Sequence, residues 1–254
     1  MSDLPAPAST HRRSPPNPFV GPRSIAVRSP LYGRRGEVAM VRDRLIADRI
    51  VLLYSPSGAG KTSLINAGVR PALEDRDFVV LPSPVETAQG DWLGGSIRVN
   101  RPPRNNSRNR YTQSVIESLE DGRDPSLRLG PDELARFVSN DVPEEQQRTL
   151  AQYLDLIADD QPSTRRCLVF DQFEELVTAD PTDDGQRQAF VHELGDALQD
   201  RRWWALFAMR EDYLGAIDDH RQSIPTNFRS RVRLDLLTSE QAVTVVERAA
   251  EESR

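Results

Sequence analysis

Cysteine is nearly missing from this chain: Cys167 is the only one in 254 residues. That excludes an internal disulfide and a cysteine-built zinc site, and fits a reducing compartment. Histidine is scarce as well. His11, His192 and His220 lie far apart and share no metal-ligand spacing, so they are read as structural or surface residues. No apolar run approaches the ~20 residues of a membrane span, and the N-terminus carries no signal-peptide core. The expectation is a soluble, cytoplasmic protein with no membrane partner. Surplus positive charge is also lacking, because 33 Lys and Arg stand against 39 Asp and Glu, a net charge of −6. No whole-chain pull toward nucleic acid or anionic lipid follows. Repeats with a period of about 20 to 50 residues are absent too, which excludes a solenoid.

What the chain has is an alternation of short apolar runs and helical patterns. Residues 1–16 are rich in Pro, Ser and Ala and are expected to form a disordered arm, with one folded domain over residues 17–254. Apolar runs at residues 50–54, 78–81, 167–171, 204–209 and 232–237 read as five strands. Helices are expected at residues 37–47, from Lys61 onward, from about Gln113, at residues 143–158 behind Pro143, and from Thr238, where Thr238 and Gln241 have capping-box spacing. Strands separated by helices imply an α/β fold with a mainly parallel five-stranded sheet covered on both faces.

The sharpest signal is SPSGAGKT: Ser55, Pro56, Ser57, Gly58, Ala59, Gly60, Lys61 and Thr62, followed by Ser63. A nucleoside triphosphate needs converging backbone N–H donors, a cation for its outer phosphates and a hydroxyl for Mg²⁺. Gly58 and Gly60 permit close backbone approach, Lys61 reaches the β and γ phosphates, and Thr62 offers the metal its hydroxyl at a helix start. Ser55 stands where such loops commonly begin with glycine. A plain glycine turn capping a helix is the bland alternative.

A second signal is CLVFDQFEEL, where an apolar strand delivers Asp171 to the carboxyl end of the sheet as a metal-binding acid. The position after it is Gln172, and acids come only at Glu174 and Glu175. If the chain turns helically after the strand, these offsets return toward Asp171. Glu175 is then the expected water-polarising residue, with Glu174 the alternative. In WWALFAMREDYL, Arg210 again ends a strand, placed to sense a γ phosphate or to pair with Glu211, Asp212 or Asp171. The basic stretch at residues 101–110 lacks interleaved aromatics and reads as a solvated loop, so nucleic acid is not indicated.

Taken in order, NPFVGP, LYGRRGE, LYSPSGAGKTSLINAGVRPAL, NRYTQSVIESLE, LVFDQFEEL, FAMREDYLGAI and LTSEQA resemble the bacterial novel STAND NTPases of the first group. The resemblance implies a P-loop NTPase core of the additional-strand (ASCE) class that binds ATP or ADP with Mg²⁺ and serves as a switch in signal transduction, including antiviral defence. It matches Lys61 and Thr62 to the phosphate loop, Asp171 to the metal-binding acid, Glu174 and Glu175 to the acidic pair and Arg210 to a sensor arginine. Gly33 and Arg34 match a stretch near the adenine. Self-association, or a sensor or effector partner, is implied. Such cores are usually followed by a helical lid, a winged-helix region and sensor repeats, none of which is seen before Arg254, so weak or absent turnover in isolation is expected. A P-loop phosphotransferase and a nucleotide-binding fragment without hydrolysis are the competing readings.

Overall fold

The computed structural model describes residues 25, 27, 29–86, 92–104, 106–158, 164–180 and 182–252. The expected arm at residues 1–16 lies outside them. In chain order the elements are α1 (Arg35–Asp48), β1 (Ile50–Ser55), α2 (Lys61–Leu64), a π-helical turn (Ile65–Val69), α3 (Arg70–Glu74), β2 (Phe78–Leu81), β3 (Pro84–Glu86) and β4 (Trp92–Gly94). Then come α4 (Arg110–Asp121), α5 (Pro131–Val138), α6 (Leu150–Ala158), β5 (Arg165–Phe170), α7 (Glu175–Thr178), α8 (Asp184–Ala197), β6 (Trp203–Arg210), α9 (Leu214–Asp218), β7 (Ser230–Arg233) and α10 (Ser239–Glu252).

Five of these strands form one sheet in the order β2-β5-β6-β1-β7, and every pairing in it is parallel. β6 is thus inserted between β5 and β1, the additional strand that the sequence implied. Alternate residues feed two cores. Ile50, Leu52, Leu168, Phe170, Phe207 and Met209 face the layer of α4, α6 and α8, whereas Val51, Leu53, Cys167, Val169, Leu206 and Ala208 face α1 and the helix behind the glycine loop. Burial on both sides is why these strands read as unbroken apolar runs rather than alternating ones. Phe207 sits at the middle of the first core, stacked on Phe170 with centroids 4.6 Å apart and edge-on to Phe228 at 5.1 Å. Burying one such ring contributes about 1.5–3 kcal/mol.

Two expectations are corrected. The helix expected over residues 143–158 is a short 3₁₀ turn (Glu144–Gln146) followed by α6. Thr149 starts α6 with a capping box: its Oγ1 accepts from the Gln152 amide at 3.3 Å, and its own amide donates to Gln152 Oε1 at 2.9 Å. The strand expected at residues 232–237 is β7, which begins two residues earlier and stops at Arg233. The Leu234 amide still bonds the Tyr54 carbonyl at 2.9 Å, but the chain then leaves the sheet edge and exposes Leu236 and Leu237. The basic stretch is the solvated loop expected, with Pro102, Pro103, Arg104 and Asn106 exposed, but its arginines also hold partners. Arg101 pairs with Asp121 at 2.7 Å, Arg104 with Glu117 at 2.5 Å, and Arg108 donates to the Phe137 and Arg148 carbonyls at 2.8 and 2.6 Å. The β3–β4 hairpin had no counterpart in the sequence reading.

The capping box of Thr238 and Gln241 forms in both directions, at 2.9 and 3.2 Å, and opens α10. Among the described residues no helix is long and apolar enough to cross a membrane.

Candidate functional site

Three strand ends meet at the carboxyl edge of the sheet, where open α/β sheets hold ligands. Ser55, closing β1, is in register with Arg210, closing β6, and β5 on the other side of β6 leads into Asp171. The loop after β1 turns over this edge. Gly58 and Gly60 have φ of 78° and 90°, and nothing lies within 4 Å of where a Cβ would be at either. Their requirement is therefore conformational rather than steric. Pro56, Ser57 and Gly58 form the outer turn, Ala59 is buried, and α2 begins at Lys61.

Lys61 Nζ donates to Ser55 Oγ at 2.8 Å, and that hydroxyl donates to the Pro56 carbonyl at 2.7 Å. Serine in place of the usual glycine thus gives the lysine a buried resting partner. Burial pushes the Lys61 ammonium below its ordinary pKa, opposed first by Glu174 and then by Asp171. Lys61 is also the only lysine of the chain, a fact the motif reading passed over. Every other cation is arginine, whose rigid fork suits fixed pairs; a compact charge on a flexible stem is kept for this one place.

Thr62 Oγ1 donates to Asp171 Oδ2 at 2.7 Å, bringing together two elements 109 residues apart. Asp171 is 4% exposed, and its other oxygen accepts from the Gln172 amide at 2.9 Å. One hydroxyl and one carboxylate are a hard-oxygen pair that suits Mg²⁺ completed by phosphate oxygens and water. No cluster of three or more His, Cys, Asp and Glu among the described residues could hold a metal alone.

Directly beyond Asp171 the helical path assumed by the offset reading of the two glutamates is broken at Gln172. Gln172 takes φ of 56°, Phe173 plugs into the core against Phe170 and Phe207, and α7 starts only at Glu175. This brings Glu174 inward: it is 9% exposed, accepts from the Arg210 amide at 3.3 Å, and exerts the largest carboxylate pull on Lys61. Glu175 faces the other way and is ion-paired with Arg98, a partner missed in the sequence because it lies 77 residues upstream outside any motif.

Of the two roles weighed for Arg210, the ion pair is the one formed here, with Nη2 2.5 Å from Asp212 Oδ2 and the guanidinium 5.4 Å from the Tyr213 ring centroid. Ser63 turns off the site, its hydroxyl accepting from the Ile25 amide at 2.9 Å. Gly33, at φ of 73°, makes a turn against α10, where a Cβ would lie 3.1 Å from Val245 Cγ2. Arg34 is 6% exposed beside the loop; Nη1 pairs with Glu37 at 2.8 Å, and Nη2 donates to the carbonyls of Ala59 and Asp235 at 3.1 and 2.7 Å. Burial pushes the Glu37 carboxyl up, but its hydrogen bond from Arg34 helps hold it below the usual value.

Comparison with known proteins agrees with this fold. A family model described as Novel STAND NTPase 1 matches residues 26–254. No curated protein matches the chain. Among solved structures, the Walker-type ATPase PABY2304 of Pyrococcus abyssi is similar at 15% identity and a TM-score of 0.56, covering 91% of this chain and 61% of that one. The ORC2 protein of Aeropyrum pernix, solved as ADPNP–ADP complexes, is similar at 14% identity and a TM-score of 0.53, covering 91% of this chain and 55% of that one. At these identities the likeness is one of fold, and the chain spans less than two thirds of either structure.

Proposed function

The chain belongs to the novel STAND NTPase 1 family, and we propose that it binds Mg²⁺-ATP and Mg²⁺-ADP at the 55–62 loop, hydrolyses ATP slowly, and acts as the nucleotide-dependent switch of a signalling protein. The observation that carries this reading is the Thr62–Asp171 contact, because it sets a helix-start hydroxyl and a strand-end acid side by side below the lysine of a phosphate loop. The nucleotide complex of the similar ORC2 structure lends support.

In this reading the loop amides and Lys61 take the β and γ phosphates, with Lys61 exchanging Ser55 for phosphate oxygen. Thr62 and Asp171 would hold Mg²⁺, which supplies charge neutralisation across the phosphate oxygens. Glu174, rather than Glu175, orients and deprotonates the attacking water, since its carboxylate is buried at the end of β6 beside Arg210 and acts on Lys61 more strongly than any other acid. Arg210 leaves Asp212 to meet the γ phosphate. Gly33 and Arg34 border the base side of the site. The signalling role, with self-association or a sensor or effector partner in a regulatory or defence system, rests on family membership alone.

Calorimetric titration with ATP and with ADP in Mg²⁺ tests the reading. Binding by the wild type and its loss in Lys61→Ala are expected. A wild type that binds neither nucleotide, or a Lys61→Ala variant that binds as well as wild type, removes it.

A further inference from the structure

The phosphate loop owes its chemistry to the direction of its backbone amides, yet glycine at both 58 and 60 leaves the intervening peptides free to rotate at little cost. Something must choose one orientation. A trans peptide is planar, so its C=O and the next N–H point opposite ways. The Ala59 carbonyl is drawn to Arg34 Nη2 at 3.1 Å, and the Gly60 N–H is therefore turned to the far side of that peptide.

We infer that Arg34 is a positioning residue for phosphate binding: it fixes the Ala59–Gly60 peptide so that the Gly60 amide stays aimed at the ligand. The inference rests on the nucleotide-binding reading of the loop, and it assigns Arg34 a target other than the base. Three features of the arginine support it. Its guanidinium is buried, so the bond to Ala59 is not shared with bulk water. The same Nη2 also donates to the Asp235 carbonyl at 2.7 Å, in the segment that leaves the sheet after β7. Nη1 is held by Glu37 at 2.8 Å, whose Oε1 accepts in turn from Gln241 of α10 at 3.3 Å. The clamp is thus braced from α1, from the β7 exit and from α10 before any ligand arrives, and a side chain so braced loses little freedom when phosphate binds.

Lysine at this position keeps the charge but not the planar fork that reaches several acceptors at once. The test measures Mg²⁺-ATP and Mg²⁺-tripolyphosphate binding to wild type and to Arg34→Lys, with melting curves confirming that the variant folds. Losing one charge-assisted bond that orders the loop is expected to weaken both ligands by the same factor, about 10- to 100-fold. Loss for ATP with tripolyphosphate unchanged means that Arg34 reads base or ribose and overturns the inference. So does unchanged binding of both, or a wild type that binds ATP but not tripolyphosphate. A wild type that binds neither removes the nucleotide reading itself together with the inference. Should Arg34→Lys fail to fold, ¹⁵N-glycine labelling of the wild type decides. The Gly60 amide is expected as one sharp signal that shifts on adding tripolyphosphate, and a signal broadened by exchange between two conformers overturns the clamp.

Discussion

Glu174 and Glu175 are adjacent in sequence, yet their surroundings predict opposite consequences for the same substitution. Glu174→Gln keeps an oxygen to accept from the Arg210 amide, now at 3.3 Å, and keeps the side-chain volume, so the fold should hold. What is lost is a buried carboxylate near Lys61, the group proposed to take the water proton. General-base catalysis contributes about 10²- to 10⁴-fold, or roughly 3–5 kcal/mol of barrier. Glu175→Gln loses an ion pair with Arg98, whose side chain is 42% exposed. Such a solvent-screened pair is worth about 0–1 kcal/mol of stability, with nothing of it directed at phosphate.

The assay is single-turnover hydrolysis of γ-labelled ATP with protein in excess, which reads chemistry even when steady-state turnover is slow. Glu174→Gln should lower the rate at least about 100-fold while Mg²⁺-ATP still binds, and Glu175→Gln should stay within about twofold of wild type. Equal losses in the two variants, or a Glu174→Gln variant that hydrolyses at the wild-type rate, refute the assignment.

Other substitutions probe the scaffold. Arg70 is fully buried and donates to the carbonyls of Val80, at 2.7 Å, Pro82, at 3.0 Å, and Gly95, so Arg70→Met should cost about 3–5 kcal/mol in urea unfolding by stranding three acceptors; a cost below about 1 kcal/mol would show that this tie is dispensable. On α8, a Cβ at Gly195 would lie 1.8 Å from the Ser223 carbonyl oxygen, whereas Gly185 has nothing within 4 Å. Gly195→Ala should lower the melting temperature and Gly185→Ala leave it equal or higher; the reverse order contradicts the packing. Burial pushes the Cys167 thiol up to about 12, so it should resist alkylation at neutral pH until the protein unfolds. Finally, ¹³C-methylation of the sole lysine should give a titration midpoint below the ordinary ~10.4, because burial disfavours its charge, and phosphate binding should raise that midpoint. A free-state midpoint at or above the ordinary value would mean that Lys61 is solvated.

What the sequence revealed about this chain follows from what local patterns can encode. Strands buried on both faces announce themselves as apolar runs, so β2 was placed to the residue and β1, β5 and β6 within two residues at each end. The glycine loop is equally local. β7 was misplaced because Leu234, Leu236 and Leu237 extend its apolar pattern, although only Leu234 is buried and the chain turns away where Arg34 takes the Asp235 carbonyl. The break before α6 was readable after all, in the Thr149–Gln152 spacing, but Pro143 and the acids behind it gave a competing helix start. The inward placement of Glu174 and the outward pairing of Glu175 were not readable, because one residue in the left-handed region, Gln172, cancels the helical offset, and glutamine carries no signal for that conformation.

The site is tied to the rest of the molecule by contacts of two kinds. Its two halves are held differently: Thr62 and Asp171 meet directly across neighbouring layers, whereas the glycine loop is held by Arg34, the residue just before α1, which also grips the exit from β7. Displacement of the 234–241 segment therefore has a path to the loop backbone that avoids the metal-side pair. A ligand shifts a conformational equilibrium only through differential affinity. Contacts of the Gly60 amide are the ones such a displacement would change first, so coupling between α10 and the nucleotide should appear in phosphate affinity before it appears in the hydrolysis step. Gln241→Ala, which cuts the outermost strut at Glu37 together with the side-chain half of the α10 capping box, tests that order: phosphate binding should weaken severalfold with the single-turnover rate of bound ATP unchanged. A slowed chemical step at unaltered affinity would place the coupling on the metal side instead.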